Sequence, residues 1–243
     1  MNKETTNSTE FLAIYNDLDR YMRRTLNEDE WTGHTDLIKK MASKNKIFLR
    51  CKEDLIDFAK LRNAIVHNPD RKYAEPIAEP HDYALNKYKE ISDKVKNPPL
   101  AINTIAIKSE HIYTTDMNAV ALDVMKEMNR NTYTHVPVVE NGSIIGVFSE
   151  NTVFSYMVKK EDVLIEKDVK IREFADFIPI EKHVSEFFKF VSKNTLVIDI
   201  EEMFQKELHN GKRLSVVFIT ESGNYTEKIL GLITAWDIAG YKE

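Results

Sequence analysis

Apolar residues recur every three or four positions through the first part of the chain, which is the pattern of amphipathic helices. Ser8 or Thr9 can cap the first such segment, whose apolar side chains are Phe11, Ile14, Tyr15, Leu18 and Met22. Further segments run from Trp31 to Lys44, from Phe48 to Ile65 and from His81 to Val95. The third stops at Asn68-Pro69-Asp70, because proline disfavours continuing a helix. Four helices with short connections predict a bundle.

The pattern changes at Asn97-Pro98-Pro99, where paired prolines predict a stiff joint. Beyond the joint, strand-like runs alternate with helical ones. Residues 134–139 and 144–149 are two such runs, and the polar segment 140–143 between them predicts a hairpin turn. A second pair follows at 214–220 and 229–234, joined by a longer polar loop. We therefore expect two hairpins, each followed by a short helix.

The two hairpins are parts of a tandem repeat. An offset of 78 residues carries Leu122 to Ile200, Met125 to Met203, Pro137 to Ser215 and Val138 to Val216, and the offset grows to 85 between Gly146 and Gly231. Tandem units normally bury their apolar faces against each other, so we expect the two repeats to share a core.

The segment between Tyr156 and Ser192 is long for a link between the two repeats. It contains a stripe of apolar side chains, Phe187, Phe188, Phe190 and Val191. Aromatic stripes usually belong to a core, so we interpret this one as part of a further helix packed on the pair.

Composition narrows the class of protein. The chain has 243 residues, of which 42% are apolar and 30% charged, and its mean hydropathy is -0.41. No run approaches the roughly 20 apolar residues that cross a bilayer, and the first residues lack the apolar segment of a signal peptide. The single cysteine, Cys51, excludes an internal disulfide and a cysteine metal cluster. We expect a cytoplasmic protein with no membrane partner and no bound metal.

The net charge of -5 is unevenly distributed. Up to Lys96 there are 18 basic and 17 acidic residues, whereas the remainder has 16 basic and 22 acidic residues. Neither part has the basic excess that duplex DNA binding requires, so we expect no duplex DNA partner. A small anionic ligand in a local pocket is still compatible with this charge.

The segment Gly231-Leu232-Ile233-Thr234-Ala235-Trp236-Asp237 carries the first candidate chemistry. A strand is expected to turn into a helix at Thr234, which places Thr234 and Asp237 in the first helical turn. N–H groups at such a turn can bind a phosphate, and the Asp237 carboxylate can accept two hydrogen bonds from a ribose diol. Arg213 has the guanidinium geometry that grips phosphate oxygens. Alternatively, Thr234 and Asp237 form only a helix cap and Arg213 is a solvated surface charge.

From about Leu100 to Tyr241, the chain resembles a pair of CBS motifs, a Bateman module. Units of that family end with Gly-x-x-Thr-x-x-Asp leading into the last helix, and the second repeat has Gly231, Thr234 and Asp237 in these places. The resemblance implies an adenosyl-nucleotide site in which Thr234 and Asp237 contact ribose or phosphate. The implied ligands are AMP, ADP or ATP, with S-adenosylmethionine as a further choice.

The first repeat departs from the family pattern. It has the Pro-Val-Val strand at Pro137 and a serine, Ser149, in the threonine position, but Thr152 stands where the ribose-binding aspartate belongs. The resemblance therefore implies that the nucleotide site of the first repeat is degraded or empty, with Ser149 as its remaining candidate residue. Family members also place a basic residue before the Pro-Val-Val segment, which makes His135 and Arg213 candidates for phosphate contacts. His135 has a structural or exposed role as its alternative.

A second candidate site lies in Leu61-Arg62-Asn63-Ala64-Ile65-Val66-His67-Asn68. Arg62 and His67 are about 140° apart around a straight helix, so they meet only in a loosened last turn or across a partner chain. The Asn63 amide is four residues from His67 and can orient its imidazole. Arginine with an oriented histidine suffices to cleave RNA without a metal. The imidazole moves the 2′-hydroxyl proton, and the guanidinium stabilises charge on the phosphorane.

This run resembles the Arg-x-x-x-x-His motif of HEPN domains, all-helical modules that dimerise and often act as ribonucleases. The resemblance covers about the first 95 residues. Alternatively, His67 interacts with the dipole at the helix C-terminus, and Arg62 is an ion-pair partner or part of a dimer interface.

The sequence thus predicts an α+β chain, with an N-terminal all-helical, HEPN-like bundle over 1–97 and a tandem CBS (βαββα) pair over 98–243. The two units of the pair are expected at about 100–160 and 161–243. The expected function is regulatory: adenine-nucleotide occupancy of the pair modulates the helical domain or a homodimer. The alternative is a nucleotide-gated, metal-independent ribonuclease acting on RNA, with Arg62, His67 and Asn63 as its catalytic residues.

Overall fold

The computed structural model describes residues 6–66, 76–160, 165–206, 208–209 and 211–241. The chain divides into two units, Met1–Pro98 and Pro99–Glu243. In the described part of the chain, no helix combines the length and the apolar character needed to cross a bilayer.

The first unit is entirely helical where it is described. Its helices are α1 (Asn7–Leu26), α2 (His34–Ala42), α3 (Lys46–Arg50), α4 (Lys52–Val66) and α5 (Asp82–Lys96). The predicted apolar stripes face its interior, where the fully buried side chains are Phe11, Leu18, Met22, Leu37, Ile38, Phe48, Ile65 and Tyr88. The cap of α1 is Thr6, whose side chain accepts a hydrogen bond from the Thr9 amide, so neither Ser8 nor Thr9 is the N-cap.

The prediction of one continuous third helix is wrong, because the helix is interrupted at Cys51. This residue has φ -91° and ψ 4°, outside the helical region, and it separates α3 from α4. The Asn45 side chain starts α3 by accepting hydrogen bonds from the amides of Ile47 and Phe48, at 2.9 and 3.1 Å. Apolar spacing continues through this corner and does not reveal it.

The second unit contains two repeats, each with a helix followed by two antiparallel strands and a second helix. The first repeat has α7 (Ala121–Asn131), β2 (His135–Glu140), β3 (Ser143–Ser149) and α8 (Glu150–Lys159), and it follows α6 (Ala101–Thr104) and β1 (Ile107–Lys108). The second has β4 (Glu186–Ser192), α9 (Val197–Lys206), β5 (Leu208–His209), β6 (Lys212–Thr220), β7 (Gly231–Thr234) and α10 (Ala235–Gly240). In the first repeat, a single parallel bridge between Thr115 and Val138 replaces the strand corresponding to β4.

Strand pairing forms two sheets. The order in the larger sheet is β1-β7-β6-β4, with β5 also paired to β6, and β2 and β3 form a separate hairpin. β4 runs parallel to β6, whereas the other pairs are antiparallel. Both predicted hairpins and the predicted α+β fold class are confirmed.

The interpretation of Phe187, Phe188, Phe190 and Val191 as a helix is wrong, because these residues form β4. The strand lies beside β6, and its residues Phe188 and Val191 are buried. A parallel strand covered on both faces has a nearly continuous apolar run rather than an alternating one, and such a run is easily mistaken for a helix stripe.

The two repeats share a core, as the repeat pattern predicted. One cluster joins Ile144 and Val147 of β3 to Phe188, Val216, Phe218 and Leu232 of the larger sheet. The backbone of β3 also lies close to the segment before β4, since a Cβ added to Gly146 would lie 2.2 Å from the carbonyl oxygen of Ile178. Glycine at this position is therefore a packing requirement.

Candidate functional site

The turn from β7 into α10 places Thr234 and Asp237 against each other. One carboxylate oxygen of Asp237, Oδ2, accepts hydrogen bonds from the Thr234 amide and the Thr234 hydroxyl, each at 2.7 Å. No described residue donates a hydrogen bond to the other oxygen, Oδ1. Asp237 thus caps the helix with one oxygen and keeps acceptor capacity on the other, so the cap and ligand interpretations are compatible.

This corner opens onto a cleft of about 530 Å³ within the second unit. The described residues that line the cleft come from both repeats and are Ile107, His111, Ile112, Tyr113, Asn131, Thr132, Tyr133, Thr134, His135, Pro137, Val216, Leu232, Thr234, Trp236 and Asp237. The volume lies in the range of small-molecule sites, and such sites are typically apolar with a few polar groups.

Aromatic side chains form part of the cleft wall. Tyr113 and Tyr133 are stacked with their ring centroids 6.0 Å apart and their planes at 20°. Trp236, which precedes Asp237 in α10, is 83% exposed. Flat apolar surfaces beside a carboxylate provide both stacking and hydrogen bonding, which is what a nucleoside base and its ribose require.

The corresponding corner of the first repeat, at the start of α8, is closed. Ser149 and Thr152 form the same cap, in which the Ser149 amide donates to the Thr152 hydroxyl at 3.1 Å. Both residues are 1% exposed. The Ser149 hydroxyl donates to Glu186 Oε1 at 2.7 Å, so a carboxylate of the protein itself occupies this corner.

Glu186, at the start of β4, is the centre of a buried hydrogen-bond network. The carboxylate is 2% exposed. Besides Ser149, its hydrogen-bond partners are His183 Nδ1 at 2.9 Å, His135 Nε2 at 2.8 Å, Asn151 Nδ2 at 2.9 Å and Ser215 Oγ at 3.4 Å. Because an ionised carboxylate only accepts, both histidines present an N–H to it. Among the described residues, no group of three or more His, Cys, Asp and Glu side chains is arranged to hold a metal ion.

The network also sets the protonation of Glu186. Burial by itself would raise the pKa of this carboxyl, but hydrogen bonds from His135 and His183 oppose burial and hold the pKa well below its ordinary value. Glu186 is therefore an ionised, fully paired group at neutral pH, and it belongs to the structure of the closed corner.

The predicted site residues of the second unit are thus placed differently from one another. Thr234, Asp237 and His135 line the same cleft. Ser149 lies in the closed corner, and Arg213, on β6, is exposed and is not among the cleft-lining residues. His135 reaches the cleft while both ring nitrogens are engaged, Nε2 by Glu186 and Nδ1 by the Thr134 hydroxyl at 2.8 Å.

In the helical unit, Arg62 lies beside an aromatic ring. Its guanidinium carbon is 5.1 Å from the centroid of Tyr15, and Nη1 donates to the Asn63 side-chain oxygen at 3.3 Å. Asn63 thus contacts Arg62, whereas it was predicted to orient His67. His67 lies outside the described residues.

The helical unit also has a polar interior. Four buried side-chain polar atoms in the described part of the chain have no hydrogen-bond partner, and all are in this unit: His34 Nε2, Arg62 Nε, Tyr88 OH and Ser92 Oγ. His34 stacks on Tyr15 with centroids 3.9 Å apart. Burial lowers the pKa of His34, although its hydrogen bond to Asp19 acts in the opposite direction.

Sequence reasoning missed Glu186, His34 and the aromatic wall of the cleft. A glutamate beside the apolar run 187–191 is a signal of a buried charge, but its partners come from four separate segments of the chain. His34 carried no recognisable spacing. Tyr113, Tyr133 and Trp236 come from three separate segments of the chain, and no local pattern indicates that they line one cleft.

Comparison with known proteins identifies the first repeat. The family model described as CBS domain matches residues 105–159, so a CBS domain is present in the chain. The comparison with curated proteins found no match.

Several solved structures that resemble the chain are described as containing CBS domains. The structure of CbpB in complex with c-di-AMP is 16% identical with a TM-score of 0.45, covering 62% of this chain and 90% of that one. The structure of CBSX2 in complex with AMP is 12% identical with a TM-score of 0.41, covering 58% and 93%. A CBS domain protein from Streptococcus pneumoniae is 16% identical with a TM-score of 0.41, covering 56% and 78%.

Proposed function

We propose that this chain is a regulatory protein whose second unit binds an adenosyl ligand in the cleft at Thr234 and Asp237. The observation that carries the proposal is Asp237 itself. Its Oδ2 is used by the helix cap, its Oδ1 has no described donor, and Asp237 lines a cleft of about 530 Å³. A carboxylate in this position accepts hydrogen bonds from vicinal hydroxyls, and the ribose of a nucleoside supplies two.

The remainder of the cleft supports the same class of ligand. The Tyr113–Tyr133 pair and Trp236 offer aromatic faces for a purine, and most of the lining surface is apolar. The ordinary CBS-domain ligand class, an adenosine with a 5′ substituent, matches this combination of base, diol and substituent. One ligand per chain is expected, because Glu186 fills the other corner.

Regulation requires that the ligand binds two arrangements of the protein with different affinity. The cleft is lined from both repeats, so a bound ligand stabilises one arrangement of the repeats over others. We propose that this difference is passed to the N-terminal helical unit or to a homodimer. Hydrogen exchange measured with and without ligand tests this step, because altered protection in α1–α5 or a changed oligomer mass is required.

Calorimetric titration tests the binding site. We expect one of AMP, ADP, ATP and S-adenosylmethionine to bind the full chain with a stoichiometry near one. Asp237→Asn retains an acceptor for the cap but removes the charge that binds the diol, and it should weaken binding at least tenfold. Asp199→Asn is the matched control, since Asp199 holds the same helical position in α9 and does not line the cleft. Unchanged affinity in Asp237→Asn contradicts the assignment.

As a second candidate function, we propose metal-independent RNA cleavage by the helical unit. The observation that favours it is the buried, unpaired Nε of Arg62. A buried donor without a partner among the described residues is uncommon. Because Nε itself is closed to solvent, a substrate phosphate would contact the Nη groups of the same guanidinium.

Incubation of the full chain with RNA in EDTA tests this second function. Cleavage that is lost in Arg62→Ala and in His67→Ala, and kept in Arg20→Ala, supports it, because Arg20 is an exposed arginine of α1. Absence of cleavage with and without nucleotide contradicts this second function and leaves the regulatory, ligand-binding function.

A further inference from the structure

The charge of the cleft restricts what can occupy it. Of the described residues that line it, Asp237 is the only carboxylate, none is lysine or arginine, and His111 and His135 are the only histidines. A site that holds phosphates normally provides arginine, lysine or several N–H donors. Here the one group with a permanent charge is negative.

His135 does not supply the missing donor. Its Nε2 faces Glu186 Oε2 at 2.8 Å, and its Nδ1 faces the Thr134 hydroxyl at 2.8 Å. Both ring nitrogens are therefore engaged within the protein. Moving His135 toward a phosphate would leave the buried Glu186 carboxylate short of a donor, which is strongly unfavourable.

Negative charge also reaches the aromatic wall. The pKa of Tyr113 is raised, first by burial and then by the carboxylates of Glu127 and Asp123 on α7. Arg130 and Lys126 pair with these carboxylates, at 2.8 and 3.1 Å, and neither basic residue lines the cleft. The described part of the aromatic wall therefore offers an anion no basic side chain.

The other lining groups suit a neutral ligand. Ile107, Ile112, Pro137, Val216 and Leu232 provide apolar surface next to the tyrosine pair. Apolar surface stabilises a purine or an alkyl thioether and penalises a phosphate that loses its water.

We propose that this cleft selects adenosine-type ligands whose 5′ substituent carries no net negative charge, such as a hydroxyl, a thioether or a sulfonium group, over AMP, ADP and ATP. The proposal rests on the proposed function and narrows its ligand class. The sequence resemblance alone implied phosphate contacts at His135 and Arg213, and neither side chain is free in the cleft.

Calorimetry with the full chain tests the selection, using adenosine, 5′-methylthioadenosine and S-adenosylmethionine against AMP and ATP at pH 7.5. We expect affinity to fall about tenfold from adenosine to AMP and further to ATP, as Coulomb repulsion from a nearby carboxylate predicts. Added salt should reduce the difference in affinity between adenosine and AMP, because it screens the repulsion. At a basic phosphate site, added salt would instead weaken AMP binding.

A charge introduced at the cleft edge provides the matched variant. Thr134 corresponds to Lys212 in the second repeat, so Thr134→Lys places the basic residue of one repeat at the same position in the other. AMP affinity should rise about tenfold relative to adenosine in this variant. AMP or ATP binding tenfold more tightly than adenosine in the unaltered protein overturns the selection and leaves the proposed function intact. Binding by none of the five ligands overturns both.

Discussion

Replacing Glu186 with glutamine tests whether the closed corner is a structural element of the second unit. The substitution keeps the size of the side chain and removes its charge. It also exchanges one acceptor oxygen for an NH₂ group, which faces the donors that now point at Glu186. The expected consequence is a less stable second unit with an unchanged helical unit.

The magnitude follows from the network. Four hydrogen bonds of 2.9 Å or less reach this carboxylate, and a hydrogen bond to a charged group contributes about 1.5–3 kcal/mol. Removing one member of a buried charged network costs about 3–5 kcal/mol. Because glutamine keeps one acceptor, we expect a loss near the lower value, about 3 kcal/mol.

Urea unfolding followed at the NMR amide signals of β6 measures the second unit by itself. With a urea dependence of about 1–3 kcal/mol per molar, the midpoint should fall by about 1–3 M. Glu181→Gln is the matched control, since Glu181 is exposed and five residues earlier, and it should change stability by less than about 0.5 kcal/mol. A loss below about 1 kcal/mol in Glu186→Gln refutes the reasoning.

The stability that Glu186 contributes depends on pH. The pKa of Glu186 is depressed in the folded state, so the unfolded chain binds more protons in acid and stability rises with pH there. The contribution is complete above the unfolded value of about 4.3 and is lost as pH falls toward the folded value. Glu186→Gln should flatten this dependence below about pH 5. Equal slopes in both proteins contradict the assigned cause.

Three further substitutions test local packing and capping. Gly146→Ala forces a Cβ to within 2.2 Å of the Ile178 carbonyl oxygen and should destabilise the second unit by at least about 1–3 kcal/mol in the urea unfolding assay. Gly240→Ala is the control, because Gly240 has open space around it and the substitution should leave stability unchanged. Asn45→Ala removes the cap of α3 and should cost about 1 kcal/mol, read from the amides of the helical unit. Asp19→Asn weakens a carboxylate that accepts from two basic side chains and should cost about 1.5–3 kcal/mol in the same measurement; no loss contradicts its assigned bonds.

Local patterning predicted most elements of the fold. Helical spacing in the first part and β-branched runs around residues 134–149 and 214–234 report which face of each element is buried, and burial is the main determinant of these elements. The break at Cys51 escaped prediction because a single residue leaves the helical region while apolar spacing continues on both sides. Strand β4 escaped because its identity depends on the parallel partner β6, which lies more than 20 residues further along the chain.

The geometry of the candidate site was predictable only where its residues are close in sequence. Thr234 and Asp237 share one helical turn, so their spacing carries the geometry. The cleft walls and the occupant of the closed corner depend on contacts between segments far apart, such as His135 with Glu186. No spacing rule encodes a contact across 51 residues.

The difference between the two corners has one electrostatic cause. An aspartate at position 152 would place a carboxylate against the buried Ser149 hydroxyl, which already lies 2.7 Å from Glu186 Oε1. Two buried carboxylates that share one hydroxyl repel each other, and one would have to take up a proton. Thr152 makes the capping bond to the Ser149 amide that Asp237 makes to Thr234, but without a charge. The missing aspartate and the buried glutamate are therefore mutually dependent features, which close the corner at Ser149, whereas the corner at Asp237 opens onto the cleft.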